Sequence, residues 1–392
     1  KYDSAGKLQW ITSGGGAGYD YGHGIAADEL GHVFVTGAVV GEGSFAGEKL
    51  GQAGPSHVFC VAMNADGKLL WSRSAEGAGS SSGHGASVDH QGNAYVGGYA
   101  SGICLAASQT AARYDLPYIV DVGVVDSIVT RGLKNTFRFG PGFGVIAKTA
   151  LDNLVAINDA AGKAAKTVII VHEDSAFGAG LAKLLNTQLP ERGFEVLETI
   201  SHPTPTRDFN NVVLKIRAQN PDIVIPANYY NEYVLLARTM QQQRVRPKGI
   251  YSVLGGAASS YKFVKEFPEA AQYIMDCNHW FDPKNAKALE LKKKIEAKGE
   301  FYTYEVYMNY SCVLLLADAI ERAASADRAK IIAALESSTF SGHVMPYGAT
   351  KFVNGQNQGA APVNTQVIGN DIQVILPANF ASAKAVFPMP RA

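Results

Sequence analysis

The sequence predicts an α/β fold from about residue 99 to the end, preceded by an all-β segment over residues 1–98. Three observations carry this reading. Continuously apolar runs such as KTVIIVHE (166–173) alternate with segments of helical spacing such as GFGVIAKTALDNLVAINDAA (142–161). Apolar strands separated by amphipathic helices make a parallel sheet covered on both faces. The first hundred residues lack that alternation and hold Gly, Ser and short period-two runs instead. Within them one pattern also occurs twice at a fixed spacing.

Composition narrows the partners. A chain of 392 residues suits two or more compact units. Its 35 Lys and Arg balance 35 Asp and Glu, which argues against nucleic acid or an anionic membrane as the main partner. With 47% hydrophobic and 18% charged residues it is a folding composition. The longest apolar run, 306–317 between Glu305 and Asp318, is shorter than the roughly 20 residues that span a bilayer and reads as a buried helix face. Cys60, Cys104, Cys277 and Cys312 show no metal spacing. Apolar neighbours at Cys104 and Cys312 read as buried thiols, with disulfides still permitted. Lys1 falls inside a patterned segment, so the chain reads as a fragment whose export signal, if it had one, lay upstream.

The repeat comes first along the chain. GKLQW (6–10) returns as GKLLW (67–71), and GHGIAADELGHVFVTG (22–37) returns as GHGASVDHQGNAYVGG (83–98). Trp71 follows Trp10 by 61 positions, and Asp89 follows Asp28 by the same 61. Each copy reads as strand, turn, strand, with DELG (28–31) and DHQG (89–92) as turns whose Gly takes a positive φ. His23 and His84 hold equivalent places and read as turn or packing residues, because no second metal ligand recurs with them. The pattern resembles bacterial β-propeller repeats. A propeller closes with ~4–8 blades. A partial set is expected to leave open edges and to have no function by itself.

From about residue 94 the α/β elements follow in order. Helix 105–115 leads into strand 116–124, then come helix 142–161, strand 166–173, helix 176–193 and strand 194–200. Helix 208–220, strand 221–230, helix 231–245 and strand 248–256 complete the alternation. Functional residues in such a sheet lie at the carboxyl ends of the strands.

The runs LPYIVDVGVVDSIVTRGLKNTFRFGPG (116–142), HEDSAFGAGLA (172–182), RDFNNVVLKIRAQNPDIVIPANYYNE (207–232) and YEVYMNYSCVLLLADAIERAAS (304–325) resemble the type I periplasmic solute-binding proteins of ABC transporters, the branched-chain amino acid and amide receptors. The resemblance covers about residues 94–392 and lacks the family's opening segment. It implies a two-lobed fold with an incomplete first lobe, three crossings between lobes, and closure on a solute. By position the crossings fall near 138–142, 275–280 and 346–351. The first lobe is then about 99–140 and 283–345, and the second about 144–275 and 351–375.

The resemblance also implies ligand contacts. Ser101, before a helix expected to begin near Ile103, is placed as an N-cap that grips a solute carboxylate. Val122 and Val124 end the strand from Tyr118, and Val stands where the family's amino-acid receptors offer a Thr hydroxyl. Phe177 and Tyr229 are aromatic walls, with Asn228 and Tyr230 beside Tyr229. Leu254 and Gly255 stand where those receptors place an acid, and SVLGGAASS (252–260) contains none. An ammonium needs acceptors. Their absence points to a small carboxylate or amide, aromatic or aliphatic, rather than an amino acid. His279 and Trp280 offer a polar edge and a stacking face, or simply pack the hinge.

Enzyme readings fail on context. SSYK (259–262) contains S-x-x-K without its companion motifs. GYASG (98–102) has its Ser one place late, His172-Glu173 lacks a second His, and the Gly-rich 14–18 opens no helix. The sequence therefore predicts a monomeric, non-catalytic receptor without cofactor or metal, periplasmic or extracellular. It binds a small solute and is recognised by an ABC permease in the membrane. The alternatives are a surface or adhesive sensor that makes contacts through its repeats, or a fusion fragment without function. NAYVGGYASG (93–102) satisfies both patterns, so the junction reads as a natural recombinant or a misassembled frame, and 144–275 is the part expected to fold well.

Overall fold

The computed structural model describes residues 1–16, 18, 20–51, 56–75, 83–88, 94–98 and 101–390. It divides into two compact units, Lys1–Thr110 and Ala111–Ala392.

The first unit holds β1 (Gly14–Gly16), β2 (Tyr21–Ala27), β3 (Val33–Val40), β4 (Gly43–Phe45), β5 (Glu48–Leu50), β6 (Ser56–Met63), β7 (Leu69–Ala75), β8 (Gly83–Val88) and β9 (Ala94–Gly98). These strands form small antiparallel sheets ordered β2-β3-β6-β7, β1-β4-β5 and β8-β9. The two copies of the repeat form hairpins of one register. Gly22 lies opposite Gly37 and Gly24 opposite Thr36, with a bulge at His23. Gly83 lies opposite Gly98 and Gly85 opposite Gly97, with a bulge at position 84. At Gly37 a Cβ would lie 1.8 Å from the Tyr21 carbonyl, so the bulged crossing admits no side chain. The first turn is held by Asp28, whose Oδ1 accepts from the backbone N–H of Leu30 (3.0 Å) and His32 (2.8 Å), with Gly31 at φ +79°. Val39, Phe45, Leu50, Phe59, Val61 and Met63 make a small core. His23 stacks on Tyr21 at 5.7 Å, a packing role. The His84 side chain, the second turn (89–92) and residues 93, 99 and 100 of the junction lie outside the described residues.

Helix α1 (Ser101–Arg113) leads into the second unit, which continues with β10 (Tyr118–Val120), α2 (Ser127–Thr130), β11 (Thr136–Arg138), α3 (Phe143–Ala160), β12 (Thr167–Glu173), α4 (Ala176–Glu191) and β13 (Glu195–His202). Then come α5 (Asn210–Gln219), β14 (Ile223–Ala227), α6 (Tyr230–Gln242), β15 (Gly249–Val253), α7 (Tyr261–Glu266), α8 (Pro268–Ala271) and β16 (Met275–Asn278). The chain ends with α9 (Ala286–Glu296), α10 (Tyr304–Ala323), α11 (Arg328–Glu336), β17 (Phe352–Val353), β18 (Gln356–Asn357), β19 (Val363–Ile368) and β20 (Asp371–Leu376). Two sheets result, β10-β11-β18-β17 and the seven-stranded β13-β12-β14-β15-β16-β19-β20. The larger sheet is parallel through β16 and antiparallel beyond it.

Val168, Ile170, Ile223, Ile225 and Val253 of this sheet pack against Leu151, Leu154, Leu181 and Leu185 of α3 and α4. A polar staple crosses the same face: the Tyr251 hydroxyl donates to the Ala150 carbonyl (2.5 Å) and accepts from Asn364 (2.8 Å). The apolar run expected as a buried helix face lies in α10, and among the described residues no helix is long and apolar enough to cross a membrane. All four cysteines are free. Cys104, Cys277 and Cys312 are buried and Cys60 is half-buried.

Several boundaries differ from the sequence reading. Helix α1 begins at Ser101 itself, so Ser101 is a buried first-turn residue, not the N-cap of a helix starting near Ile103. Strand β10 ends at Val120, which leaves Val122 and Val124 in the following loop. The third crossing also lies further on than 346–351. The hairpin β17–β18 pairs with β11 in the smaller sheet, so 352–357 belong to the first lobe and the chain crosses between Asn357 and Val363. A two-residue strand has too little periodicity to announce itself in the sequence.

Arg138, at the end of β11, is buried to 2%. Its Nε donates to Gln356 Oε1 (2.6 Å) and its Nη1 to the carbonyls of Val124 (2.8 Å) and Val125 (2.9 Å). Its Nη2 reaches Asp126 Oδ1 at 2.9 Å. A Cβ at Gly142 would lie 1.9 Å from that Nη2. Replacing a buried, fully bonded cation by an apolar residue strands its acceptors, so Arg138→Leu is expected to lower stability by about 3 kcal/mol. Urea unfolding measures it, and Gly142→Ala should act in the same direction by displacing the guanidinium.

Candidate functional site

The larger sheet ends its parallel strands in three loops. At the end of β12, Glu173 is fully buried and its carboxylate accepts from the backbone N–H of Ser175 (2.6 Å), the Ser175 hydroxyl (2.8 Å) and the N–H of Gly178. Burial pushes its carboxyl above the usual range despite those donors. Ser175 caps α4, accepting from the N–H of Phe177 at 3.3 Å, and its hydroxyl lies 3.5 Å from that of Tyr229. Tyr229 itself follows β14 as the N-cap residue of α6.

The rings form a row. Phe143 and Phe177 lie 6.2 Å apart and Phe177 and Tyr229 5.2 Å apart. Val124 and Leu254 join Phe143 and Phe177 in one apolar cluster, with half-buried Tyr229 packed against it. The structure thus brings together Val124, Phe177, Tyr229 and Leu254, drawn from loops that are far apart in sequence. Gly255 adjoins Leu254. Val122 is buried outside this cluster. Ser101 falls in the first unit.

The Asn228 side chain is fully buried and its Nδ2 donates to His202 Nε2, which ties the carboxamide to the strand end. His202 Nδ1 lies 2.9 Å from the Pro203 carbonyl, which fixes that tautomer, and burial pulls its pKa down. Glu232, in the first turn of α6, is also buried, accepts from the N–H of Thr206 at 3.4 Å and has a raised pKa for the same reason.

One backbone acceptor on each wall is engaged within the protein. The Val124 carbonyl accepts from Arg138 and from the N–H of Phe143 (2.9 Å), which occupies both lone pairs. The Gly255 carbonyl accepts from Asn278 at 3.3 Å. The N–H of Leu254 donates to Cys277 (3.0 Å), that of Gly255 to Asp276 (2.9 Å) and that of Gly256 to Asn228 (3.1 Å). Leu254 adopts φ +58°, a strained value for a branched side chain that these bonds hold in place.

One titratable group here, Asp276, escaped the reading of site residues, and a second, His279, reads from sequence as a polar edge or hinge packing. Asp276, central in β16, is 1% exposed, and burial raises its carboxyl to about 6. A charge inside the apolar run YIMDCNHW was its signal. His279, just beyond β16, is equally buried. Burial and then the nearby Arg138 cation lower its pKa to about 3. Its Nδ1 lies 3.4 Å from the Tyr347 hydroxyl, and Trp280 packs edge-on against Tyr307 at 6.0 Å. Both residues pack the crossing. An open groove of about 890 Å³ runs along α3 and α4, lined by Val125, Asp126, Phe143, Lys148, Gln188 and Arg192 among others. Neither Phe177 nor Tyr229 lines it. Among the described residues no cluster of His, Cys, Asp or Glu is arranged to hold a metal.

Comparison with known proteins agrees with this layout. Residues 87–371 match the periplasmic binding protein family. Leu/Ile/Val-binding protein homolog 7 of Brucella melitensis is 26% identical over 305 residues, which are 74% of this chain and 76% of that protein. A leucine-binding protein from Thermotoga maritima superposes with a TM-score of 0.59 at 22% identity, covering 69% of this chain and 75% of the other. A solute-binding protein of an ABC transporter from R. palustris, in complex with benzoate, gives 0.60 at 19% identity, covering 73% and 76%.

The lowered pKa of His279 fixes a sign. Between its ordinary 6.5 and about 3 the unfolded chain holds a proton that the folded protein does not. Its contribution is therefore present at pH 7 and lost as pH falls through that window. Urea midpoints at pH 7 and 4.5 should differ less in His279→Phe than in the unaltered protein, by on the order of 2 kcal/mol in stability.

Proposed function

We propose that this chain, which belongs to the periplasmic binding protein family, is the solute receptor of an ABC importer, and that its solute is a small carboxylate or amide without an α-ammonium group. One observation carries the second half. The groups that would accept from an ammonium are occupied or withdrawn: the Val124 carbonyl is doubly bonded to protein donors, the Gly255 carbonyl faces Asn278, and the Asp276 carboxylate lies behind the loop. What lies at these strand ends is a buried apolar and aromatic row of Val124, Phe177 and Leu254 against half-buried Tyr229, with two hydroxyls, Ser175 and Tyr229. Such a wall suits a flat or branched apolar body with one polar end.

The names of the Brucella and Thermotoga relatives point to branched-chain amino acids, and the R. palustris neighbour in complex with benzoate supports an aromatic acid in the same fold. The local polarity supports a solute without an α-ammonium for this chain. Binding would work by closure. A solute that touches both the loop after β10 and the strand ends of the larger sheet makes its full set of contacts only when the lobes approach, and that difference in affinity drives the population to the closed form. The closed form is what a membrane permease would recognise, with the receptor acting outside the cytoplasm. No catalytic step is assigned to it.

A thermal-shift panel of benzoate, isobutyramide and L-leucine tests the reading. Benzoate or isobutyramide is expected to raise Tm, by the equivalent of about 2.7 kcal/mol at a hundred times Kd. L-Leucine stabilising more than either would overturn the solute assignment. Tyr229→Ala should weaken the bound acid or amide about tenfold, ~1.4 kcal/mol, in calorimetric titration.

A further inference from the structure

Asp276 stands at the centre of a buried polar cluster that no solute contact explains. It lies on β16, between parallel β15 and antiparallel β19. Its Oδ1 accepts from the N–H of Gly255 at 2.9 Å, and its Oδ2 from the Ser259 hydroxyl at 2.7 Å and Asn278 Nδ2 at 3.0 Å. Asn278 also reaches the Gly255 carbonyl, and Ser259 lies 3.2 Å from the Thr365 hydroxyl on β19. One carboxylate therefore grips both ends of the 254–260 loop and ties it to the two strands that lead into and out of the larger sheet.

We propose that Asp276 is a positioning residue of the solute site, holding the Leu254–Gly255 wall in its strained conformation and coupling it to the strands at the crossings. This rests on the receptor reading above. The physical reason is directional. Leu254 at φ +58° relaxes unless its neighbours are pinned, and a carboxylate supplies acceptors on both oxygens to three donors at once. An amide cannot do the same: turned to keep Gly255, it points a donor at the Asn278 donor. The titratable groups that face Asp276 are the phenols of Tyr233 and Tyr251 and the adjoining Cys277 thiol, all held neutral by burial. Protonation of Asp276 is consequently the one charge change within the cluster, with a midpoint of about 6.

The test separates positioning from general stability. Asp276 is harder to ionise in the fold than in the unfolded chain, where 3.8 is ordinary, so its charge weakens the fold as pH rises through about 6. Asp276→Asn removes that charge and is expected to leave the urea midpoint at pH 7.5 unchanged or raised. Hydrogen exchange of the amides of residues 254–260 should nevertheless speed up about tenfold or more, while those of residues 167–173 hold. Benzoate affinity should fall at least tenfold in parallel. In the unaltered protein the Gly255 amide resonance should titrate with a midpoint near 6, and in the variant it should not. Ser259→Ala, which removes one donor, should loosen the same loop to a smaller degree and serves if the first variant fails to fold. Unchanged exchange in 254–260, or a uniform rise across the whole unit, would overturn the proposal. Because exchange is read without solute, failure of benzoate to bind the unaltered protein would count against the receptor reading and not against the loop assignment.

Discussion

A guanidinium taken out of water is the constraint around which the second unit is arranged. Arg138 must find an acceptor for each donor or carry an unmet cost of several kcal/mol. Four of its five N–H donors go to Gln356 from β18, Asp126 and the carbonyls of Val124 and Val125. Those partners come from two separate stretches of chain, so with Arg138 itself one side chain draws the first crossing, the loop after β10 and the returning hairpin β17–β18 to one point. The same demand excludes a side chain at Gly142, where α3 begins. Three of the partners are short-range neighbours in sequence and one is not. That one, Gln356, is what assigns the hairpin to the smaller sheet.

This arrangement has a consequence for binding. The carbonyl of Val124 cannot serve both Arg138 and a solute ammonium, since its two lone pairs are filled by Arg138 and Phe143. The opposite wall shows the same economy: Leu254, Gly255 and Gly256 turn their N–H groups inward to Cys277, Asp276 and Asn228. At the Val124 carbonyl, satisfaction of the loop and recognition of an ammonium are thus in competition.

The alternation of apolar strands and amphipathic helices was legible, because helix and strand periods differ and the central strands β12 and β14 are mostly apolar. The aromatic pair Phe177 and Tyr229 was legible from its place after strand ends. The 61-residue repeat announced two hairpins, and their shared bulge at His23 and position 84 emerged only in the structure. Three things were not legible. The pairing of 352–357 depends on Arg138, some two hundred residues away in sequence. The inward turn of Asn228 depends on His202, whose ring orientation no local pattern encodes. The role of Asp276 depends on which loop folds over β16, and a lone acid in an apolar strand signals burial without naming the partner.

Electrostatics can be pressed further to separate the two solute classes that remain. A solute carboxylate near Tyr229 would ordinarily gain from the N-termini of α4 and α6, whose partial positive charge favours anions. Both ends are already met by protein carboxylates. Glu173 takes the N–H groups of Ser175 and Gly178, and Glu232 sits in the first turn of α6. Both have raised pKa values, and Glu173 contributes to the rise at Glu232, so a further negative charge adds to an existing repulsion. An amide meets no such repulsion and could use the Tyr229 hydroxyl as donor or acceptor, whereas the Ser175 hydroxyl already donates to Glu173. The R. palustris protein in complex with benzoate shows that the fold accommodates an acid. An acid placed beside Tyr229 would face the Glu173 and Glu232 side chains, whereas a neutral amide of the same shape would not add a charge to theirs.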